Sequence, residues 1–138
     1  MDARTVLSEW IEAFKARDPD RVADLYHDEA TNWQVADDPV VGRENIRKMT
    51  AQFFTSFPDS YTNIENVMAD GDWAAWEWTG GGTFLHDLGP IKATGKAFEI
   101  RGCGFFQIVN GKITLQRGYW DKVSWYTQIG VPLSASVK

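Results

Sequence analysis

Asp121 is the residue whose type and position in the sequence best suit acid–base chemistry. Asn110-Gly111 lies between two apolar-rich runs, and this dipeptide is typical of a two-residue type I′ turn in a β-hairpin. Counting outward from the turn places Ile100 opposite Asp121, and the strand period of two puts both residues on the apolar face. A carboxylate in apolar surroundings has a raised pKa and becomes a better general base. The spacing therefore predicts an acid/base at position 121. The alternatives are a bulge that inverts part of this register, and an aspartate that only caps the helix after the strand.

Aromatic residues are the expected surroundings of this carboxylate. The chain has seven tryptophans, and aromatic residues make up 14% of it, more than the packing of a small core usually needs. Such rings commonly hold flat, apolar ligands, and a buried indole N–H can bind a carbonyl oxygen. We expect five aromatic side chains to bind the substrate: Tyr26, Trp33, Trp76, Trp78 and Tyr119.

Histidine and cysteine offer weaker candidates. His86 lies in a long glycine-containing loop, where it could act as a second catalytic group that returns the proton, or form an exposed pair with Asp87. His27 is followed by two acidic residues, but neighbouring side chains diverge and no second histidine stands at ligand spacing. Cys103 falls on the outer face of the predicted hairpin. We therefore expect neither a metal nor an organic cofactor.

Length, charge and composition restrict the class of protein. We expect one domain over residues 1–138, which is long enough to bury a core around a small ligand. The net charge of -5 argues against nucleic acid, because phosphate binding needs a basic stripe. No run is long enough to cross a membrane, and the N-terminus lacks the order of a signal peptide. The expected location is the cytoplasm.

Helical patterns precede strand patterns along the chain. Apolar spacing predicts helices over 4–16 and 43–54, with a short helix that begins at Pro19 after an Asp18 N-cap. Residues 31–35 and most of the chain after Phe57 read as strands, with a second hairpin turn at Asp70-Gly71. Residues 122–129 favour a last short helix. This order predicts an α+β fold, in which a curved antiparallel sheet wraps against helices.

Several short motifs, taken in order, resemble a known family. They begin at Trp33 and continue through GRENI, FPD, ADGD, AWEWTG, TGK, IVNGKI, GYWD and QIG. Together they resemble the SnoaL-like polyketide cyclases of the nuclear transport factor 2-like superfamily over nearly the whole chain. The resemblance implies a cone-shaped (cystatin-like) curved antiparallel sheet on three N-terminal helices, with a pocket between them and often a homodimer.

The resemblance also bears on individual residues. In these cyclases an aspartate at the end of this strand is the acid/base, and in limonene epoxide hydrolase-like enzymes a similarly placed aspartate activates water; both roles fall on Asp121. The histidine of the cyclases is replaced by Gly104. The epoxide hydrolase arginine and second aspartate are replaced by Trp78 and Gly80. The resemblance therefore leaves one carboxylate in an aromatic surrounding.

Three functions remain open from the sequence. The first is an enzyme that removes a proton α to a carbonyl on a hydrophobic substrate, polycyclic ones included. It acts as an aldol cyclase or isomerase, with Asp121 as acid/base; a hydrolase of the epoxide type is its variant. The second is a non-catalytic protein that binds an apolar small molecule. The third is a dimer that binds another protein, as the transport factors of this fold do.

Overall fold

The computed structural model describes residues 1–135 and consists of four helices and one six-stranded sheet. The helices are α1 (Ala3–Lys15), α2 (Pro19–Ala23), α3 (Arg43–Ser56) and α4 (Lys122–Ile129). The strands are β1 (Tyr26–Gln34), β2 (Val40–Val41), β3 (Tyr61–Asp70), β4 (Trp73–Thr83), β5 (Ala97–Val109) and β6 (Lys112–Trp120). Within residues 1–135, no helix is both long and apolar enough to span a membrane.

Local signals fix the helix ends close to their predicted positions. The Asp18 carboxylate accepts a hydrogen bond from the Arg21 amide and caps α2, whose first residue is Pro19. Helix α1 buries one stripe against the sheet, which includes Trp10. Helix α4 ends at Gly130, whose φ of 74° is the left-handed conformation common after a helix. The predicted helices are confirmed.

The strands follow the order β2-β1-β6-β5-β4-β3 in a single curved sheet. Neighbouring strands are antiparallel except β1 and β6, which run parallel. The α+β fold class is confirmed. The helices and the C-terminal segment pack on the concave side of this sheet and bury two contiguous apolar clusters.

The β5–β6 hairpin contains a bulge that corrects the predicted register. Ile108 pairs with Ile113 as predicted, but the next pair is Gln107 with Leu115, so Thr114 is an extra residue on β6. The Thr114 hydroxyl donates to the Gln107 carbonyl at 3.1 Å. Beyond the bulge every side chain of β6 changes faces, so the prediction that Asp121 and Tyr119 share the inner face is wrong.

The physical reason for the bulge lies in the charges it removes from the interior. The predicted register would bury Arg117 and Asp121, and burying unpaired charges is costly. With the bulge, Gln116 and Gly118 face inward and Arg117 lies over the Trp73 ring on the convex face. The β3–β4 turn also differs by one position: Asp70 pairs with Trp73, so the turn is Gly71-Asp72.

Candidate functional site

The concave face of the sheet carries large side chains that lie flat over glycines. A Cβ added at Gly102 would stand 2.3 Å from Cζ2 of Trp78, and one at Gly104 would stand 3.1 Å from Nε1 of Trp76. Both glycines therefore give room to an indole ring of the neighbouring strand β4. The prediction that Trp76 and Trp78 face the interior is confirmed.

Aromatic rings surround Trp125 of α4 at one end of this face. Its ring centroid lies 5.4 Å from those of Trp120 and Tyr126, and 5.7 Å from those of Phe57 and Phe98. We call these five residues the aromatic cluster. Trp78 packs against both this cluster and the core around Trp10. The aromatic cluster therefore closes one end of the concave face with apolar rings.

The indole N–H of Trp125 has no hydrogen-bond partner within residues 1–135, although the atom is buried. A buried polar group without a partner is costly, and native structures rarely contain one unless a water or ligand satisfies it. The N–H is a pure donor, so its missing partner must be an acceptor such as a carbonyl oxygen. This atom is the feature of the interior that points most directly to a ligand.

A chain of neutral polar side chains runs from the core toward the aromatic cluster. The Trp10 indole N–H donates to the Tyr26 hydroxyl at 2.9 Å, and that hydroxyl donates to Gln116. Burial raises the pKa of Tyr26 far above its usual range, so its proton stays in place. Nearer the cluster, the Trp120 indole N–H donates to the Gln34 Oε1 at 2.9 Å. Every buried polar side chain in residues 1–135 is neutral.

Asp121 occupies a different place from the predicted one. It is the N-cap of α4, and its Oδ1 accepts a hydrogen bond from the Ser124 amide at 2.9 Å. The residue is exposed to solvent. The aspartate immediately follows Trp120, so the carboxylate lies at the border of the aromatic cluster rather than within it.

Two of the predicted substrate-binding residues lie on the convex face. Trp33 is 38% exposed and donates its indole N–H to the Asp37 carbonyl, while Tyr119 is 42% exposed and packs edge-on against Phe105. The expectation that they line the interior is wrong, because strand alternation and the β6 bulge turn them outward. Tyr26 does face the interior, but it is fully buried and bonded within the core.

His86 lies in the loop between β4 and β5, where it is exposed. Its backbone amide donates to the Ser56 carbonyl at 3.3 Å, which attaches this part of the loop to the end of α3. The neighbouring Asp87 accepts from the Ala93 amide and pairs with Lys92. His86 is therefore a surface residue of an ordered loop, as the alternative interpretation of this pair expected.

An ion pair joins the loop after β1 to the start of α4. Lys122 Nζ lies 2.6 Å from Asp37 Oδ1 and 5.2 Å from the centroid of the Tyr126 ring. The hydrogen bond to Asp37 raises the pKa of Lys122, and burial raises the pKa of Tyr126. These groups cover the outer side of the aromatic cluster and keep Lys122 charged.

The structure also contains a surface groove of about 430 Å³ at the edge of the apolar cluster that includes Phe57 and Tyr126. It lies between the β4–β5 loop and the segment that follows α4, and its walls include Ile91, Lys92 and Val131. Residues 1–135 contain no group of three or more histidine, cysteine, aspartate or glutamate side chains able to hold a metal ion. Neither feature competes with the aromatic cluster as the candidate site.

Sequence reasoning missed three residues of this site: Gln34, Trp120 and Trp125. The predicted register, which puts Asp121 on the inner face, puts Trp120 on the outer one. The i, i+4 spacing of Trp125 and Ile129 indicates their shared apolar cluster. Gln34 falls on the same strand face as the buried Asn32 by the period of two.

Comparisons with known proteins agree on family and fold. The family model for SnoaL-like polyketide cyclase matches residues 4–129. A structure from Jannaschia sp. CCS1, described as a SnoaL-like polyketide cyclase, superposes with a TM-score of 0.83 at 18% identity, covering 93% of this chain and 91% of that one. Comparison with curated protein sequences gave no match.

Two further structures show how varied the relatives are. A protein of ketosteroid isomerase-like fold from Catenulispora acidiphila, in complex with trimethylamine, has a TM-score of 0.81 at 20% identity, with coverage of 97% and 98%. An LEH-like epoxide hydrolase from M. tuberculosis has a TM-score of 0.74 at 18% identity, with coverage of 91% and 87%. At these identities the likeness concerns the fold.

Proposed function

Since the chain belongs to the SnoaL-like polyketide cyclase family, we propose that it binds a flat, hydrophobic carbonyl compound at the aromatic cluster and acts on it as a cyclase or isomerase. The observation that carries this proposal is the buried Trp125 N–H without a partner. A ligand carbonyl supplies the acceptor that this donor lacks. The surrounding rings stack against the ligand's apolar faces.

The chemistry proposed for this ligand is proton removal from the carbon next to the carbonyl. When that proton leaves, negative charge develops on the carbonyl oxygen, and a fixed donor in an apolar site stabilises such charge. Trp125 is that donor. The carbanion equivalent then closes a ring on a second carbonyl, or is reprotonated at another carbon.

The proton acceptor proposed for this step is Asp121, the residue that carries this role in the family resemblance. Its support from geometry is its position directly after Trp120, at the border of the cluster. To reach the ligand, its carboxylate would release the Ser124 amide, to which it is bonded at 2.9 Å. His86, on the exposed loop, is proposed only as a group that returns the proton.

A second candidate function is binding without catalysis. The observation that favours it is that every buried polar side chain in residues 1–135 is neutral, so the described interior contains no general base. Loss of Asp121 separates the two functions, as argued in the Discussion.

The test of the binding site uses acetylnaphthalene, a flat aromatic ketone, and isothermal titration calorimetry. Trp125→Phe keeps a ring in the cluster and removes the N–H, so we expect affinity to fall by roughly tenfold, the value of one hydrogen bond to a buried donor. Trp73→Phe is the matched control, because Trp73 lies beneath Arg117 on the convex face. Equal affinity for both variants and the unmodified protein would contradict the site.

Assembly is also part of the proposal. The convex face exposes Trp33, Phe105 and Tyr119, which are 38%, 39% and 42% accessible. Exposed aromatic rings on a sheet face are characteristic of protein interfaces. We propose that two copies of the chain pair through this face, which leaves the concave side of each copy free for its ligand.

A further inference from the structure

Gln34 provides a polar contact beside the aromatic cluster that the family assignment does not explain. Its Oε1 accepts from the Trp120 indole N–H at 2.9 Å, and its Nε2 donates to Asn32 Oδ1 at 2.7 Å. Trp120 in turn packs edge-on against Trp125, with ring centroids 5.4 Å apart. Gln34 and Trp125 therefore both contact the half-buried indole of Trp120.

The carboxamide of Gln34 is only half used by these partners. A primary amide has two N–H donors and two acceptor lone pairs. Within residues 1–135, Asn32 takes one donor and Trp120 occupies one lone pair. One donor and one acceptor position therefore remain for a further group.

Gly118 fixes where this amide lies. A Cβ at position 118 would stand 2.0 Å from Oε1 of Gln34 and 2.7 Å from its Cδ. The side chain of Gln34 therefore lies directly on the β6 backbone, and any larger residue at 118 would displace it. Position 118 faces Gln34 because the β6 bulge turns this side of the strand inward.

The groups bonded to the amide are neutral, and Trp120 is the more exposed of the two. A neutral hydroxyl can donate to the free acceptor position of the Gln34 oxygen, as the Trp120 N–H does to the other. We infer that Gln34 determines specificity for a neutral hydroxyl on a hydroxy-carbonyl ligand. This inference rests on the proposed function, in which Trp125 binds the carbonyl.

The experiment compares two ligands that differ by one donor. The first is an acetylnaphthol whose hydroxyl and acetyl groups are on opposite rings, and the second is its methyl ether, which keeps the carbonyl and loses the O–H. Calorimetric titration of the full chain should give roughly tenfold tighter binding of the naphthol, the usual size of one hydrogen bond in a partly buried site.

Variants at two positions assign this preference to Gln34. Gln34→Met keeps the length of the side chain and removes the amide, so the naphthol and the ether should bind with equal affinity. Gly118→Ala keeps the amide but displaces it, and should reduce the preference in the same direction. Because only the end of a flexible side chain must shift, Gly118→Ala tests the inference even if Gln34→Met folds poorly.

The outcomes distinguish the role of Gln34 from the proposed binding of a ligand carbonyl by Trp125. Trp125→Phe should weaken both ligands and keep their ratio. Equal binding of the two ligands by the unmodified protein, or an unchanged ratio in both Gln34→Met and Gly118→Ala, would overturn the role of Gln34 and leave ligand binding at the aromatic cluster intact. Failure of both ligands to bind the unmodified protein would overturn binding at the aromatic cluster itself.

Discussion

Asp121 and Trp125 stand one helical turn apart on α4 and have opposite surroundings. Asp121 is solvated and bonded to the helix end, whereas the Trp125 N–H is buried without a partner. A buried donor requires an acceptor. The two residues therefore suggest a division of roles. Trp125 binds the ligand in the interior, and Asp121 transfers the proton at the border of the aromatic cluster.

Asp121→Asn tests this division. The amide keeps the shape and caps the helix about as well as aspartate, but it cannot accept a proton as a base. We expect deuterium exchange of the acetyl protons of acetylnaphthalene, followed by NMR, to slow by ~10²-fold, the usual contribution of a general base. Affinity for the ketone should be unchanged.

The matched control is Asp121→Ala, which removes both the base and the cap. It should slow exchange equally and also lower the free energy of unfolding by about 1 kcal/mol. Exchange at the full rate in a folded Asp121→Asn protein would assign the proton transfer elsewhere, or leave binding without catalysis.

The strands of the site depend on close contact between a side chain of one strand and the backbone of the next. Gly102 is the clearest case. Gly102→Ala would place a Cβ 2.3 Å from the Trp78 ring, so overpacking should destabilise the protein by about 1–3 kcal/mol in urea unfolding. In a Trp78→Leu background, Gly102→Ala should lower the free energy of unfolding by clearly less. Strict additivity of the two substitutions would contradict the contact between ring and strand.

The connection between α3 and β3 has a carboxylate that should make stability depend on pH. The Asp59 carboxylate accepts from the Thr83 hydroxyl and amide, both at 2.7 Å, and these bonds lower its pKa. A lowered pKa in the folded state gives stabilisation that is present above the unfolded value of about 3.9 and is lost as pH falls through the folded value.

Asp59→Asn should therefore be less stable than the unmodified protein at neutral pH, and the difference should shrink as the medium is acidified below about pH 4. Thermal unfolding at a series of pH values measures this. A difference that stays constant with pH would show that the charge of Asp59 contributes nothing.

At the scale of the whole molecule, the sheet separates two surfaces with different tasks. Its concave side is covered by helices and holds the aromatic cluster, while its convex side exposes aromatic rings. If two copies pair through the convex face, Phe105→Glu should convert a dimer into a monomer in sedimentation velocity, because it places a charge among the rings.

The control for this prediction is Leu85→Glu, a substitution in the loop between β4 and β5 at a residue that is 48% exposed. It should leave the sedimentation coefficient unchanged. A monomeric unmodified protein at micromolar concentration would contradict pairing through this face.

Short-range signals in the sequence are enough to predict the local elements and the family. Helix α2 follows from its cap and proline, α4 from the residues after Asp121, and the β5–β6 turn from Asn110-Gly111. These signals act over a few residues, so they can be recognised from the local sequence without the rest of the chain. The ordered motifs likewise identified the SnoaL-like family, which the match over residues 4–129 confirms.

Only the tertiary structure decided which face of β6 is inside. A bulge at Thr114 exchanges the two faces, and the choice depends on the total cost of burying Arg117 and Asp121 against that of burying Gln116 and Trp120. That total cost depends on hydrogen-bond partners far away in the chain, such as Gln34 on β1, which accepts a hydrogen bond from the Trp120 N–H. Because strand alternation carries any one-residue shift along the whole strand, a single extra residue in β6 places the predicted catalytic carboxylate at the surface.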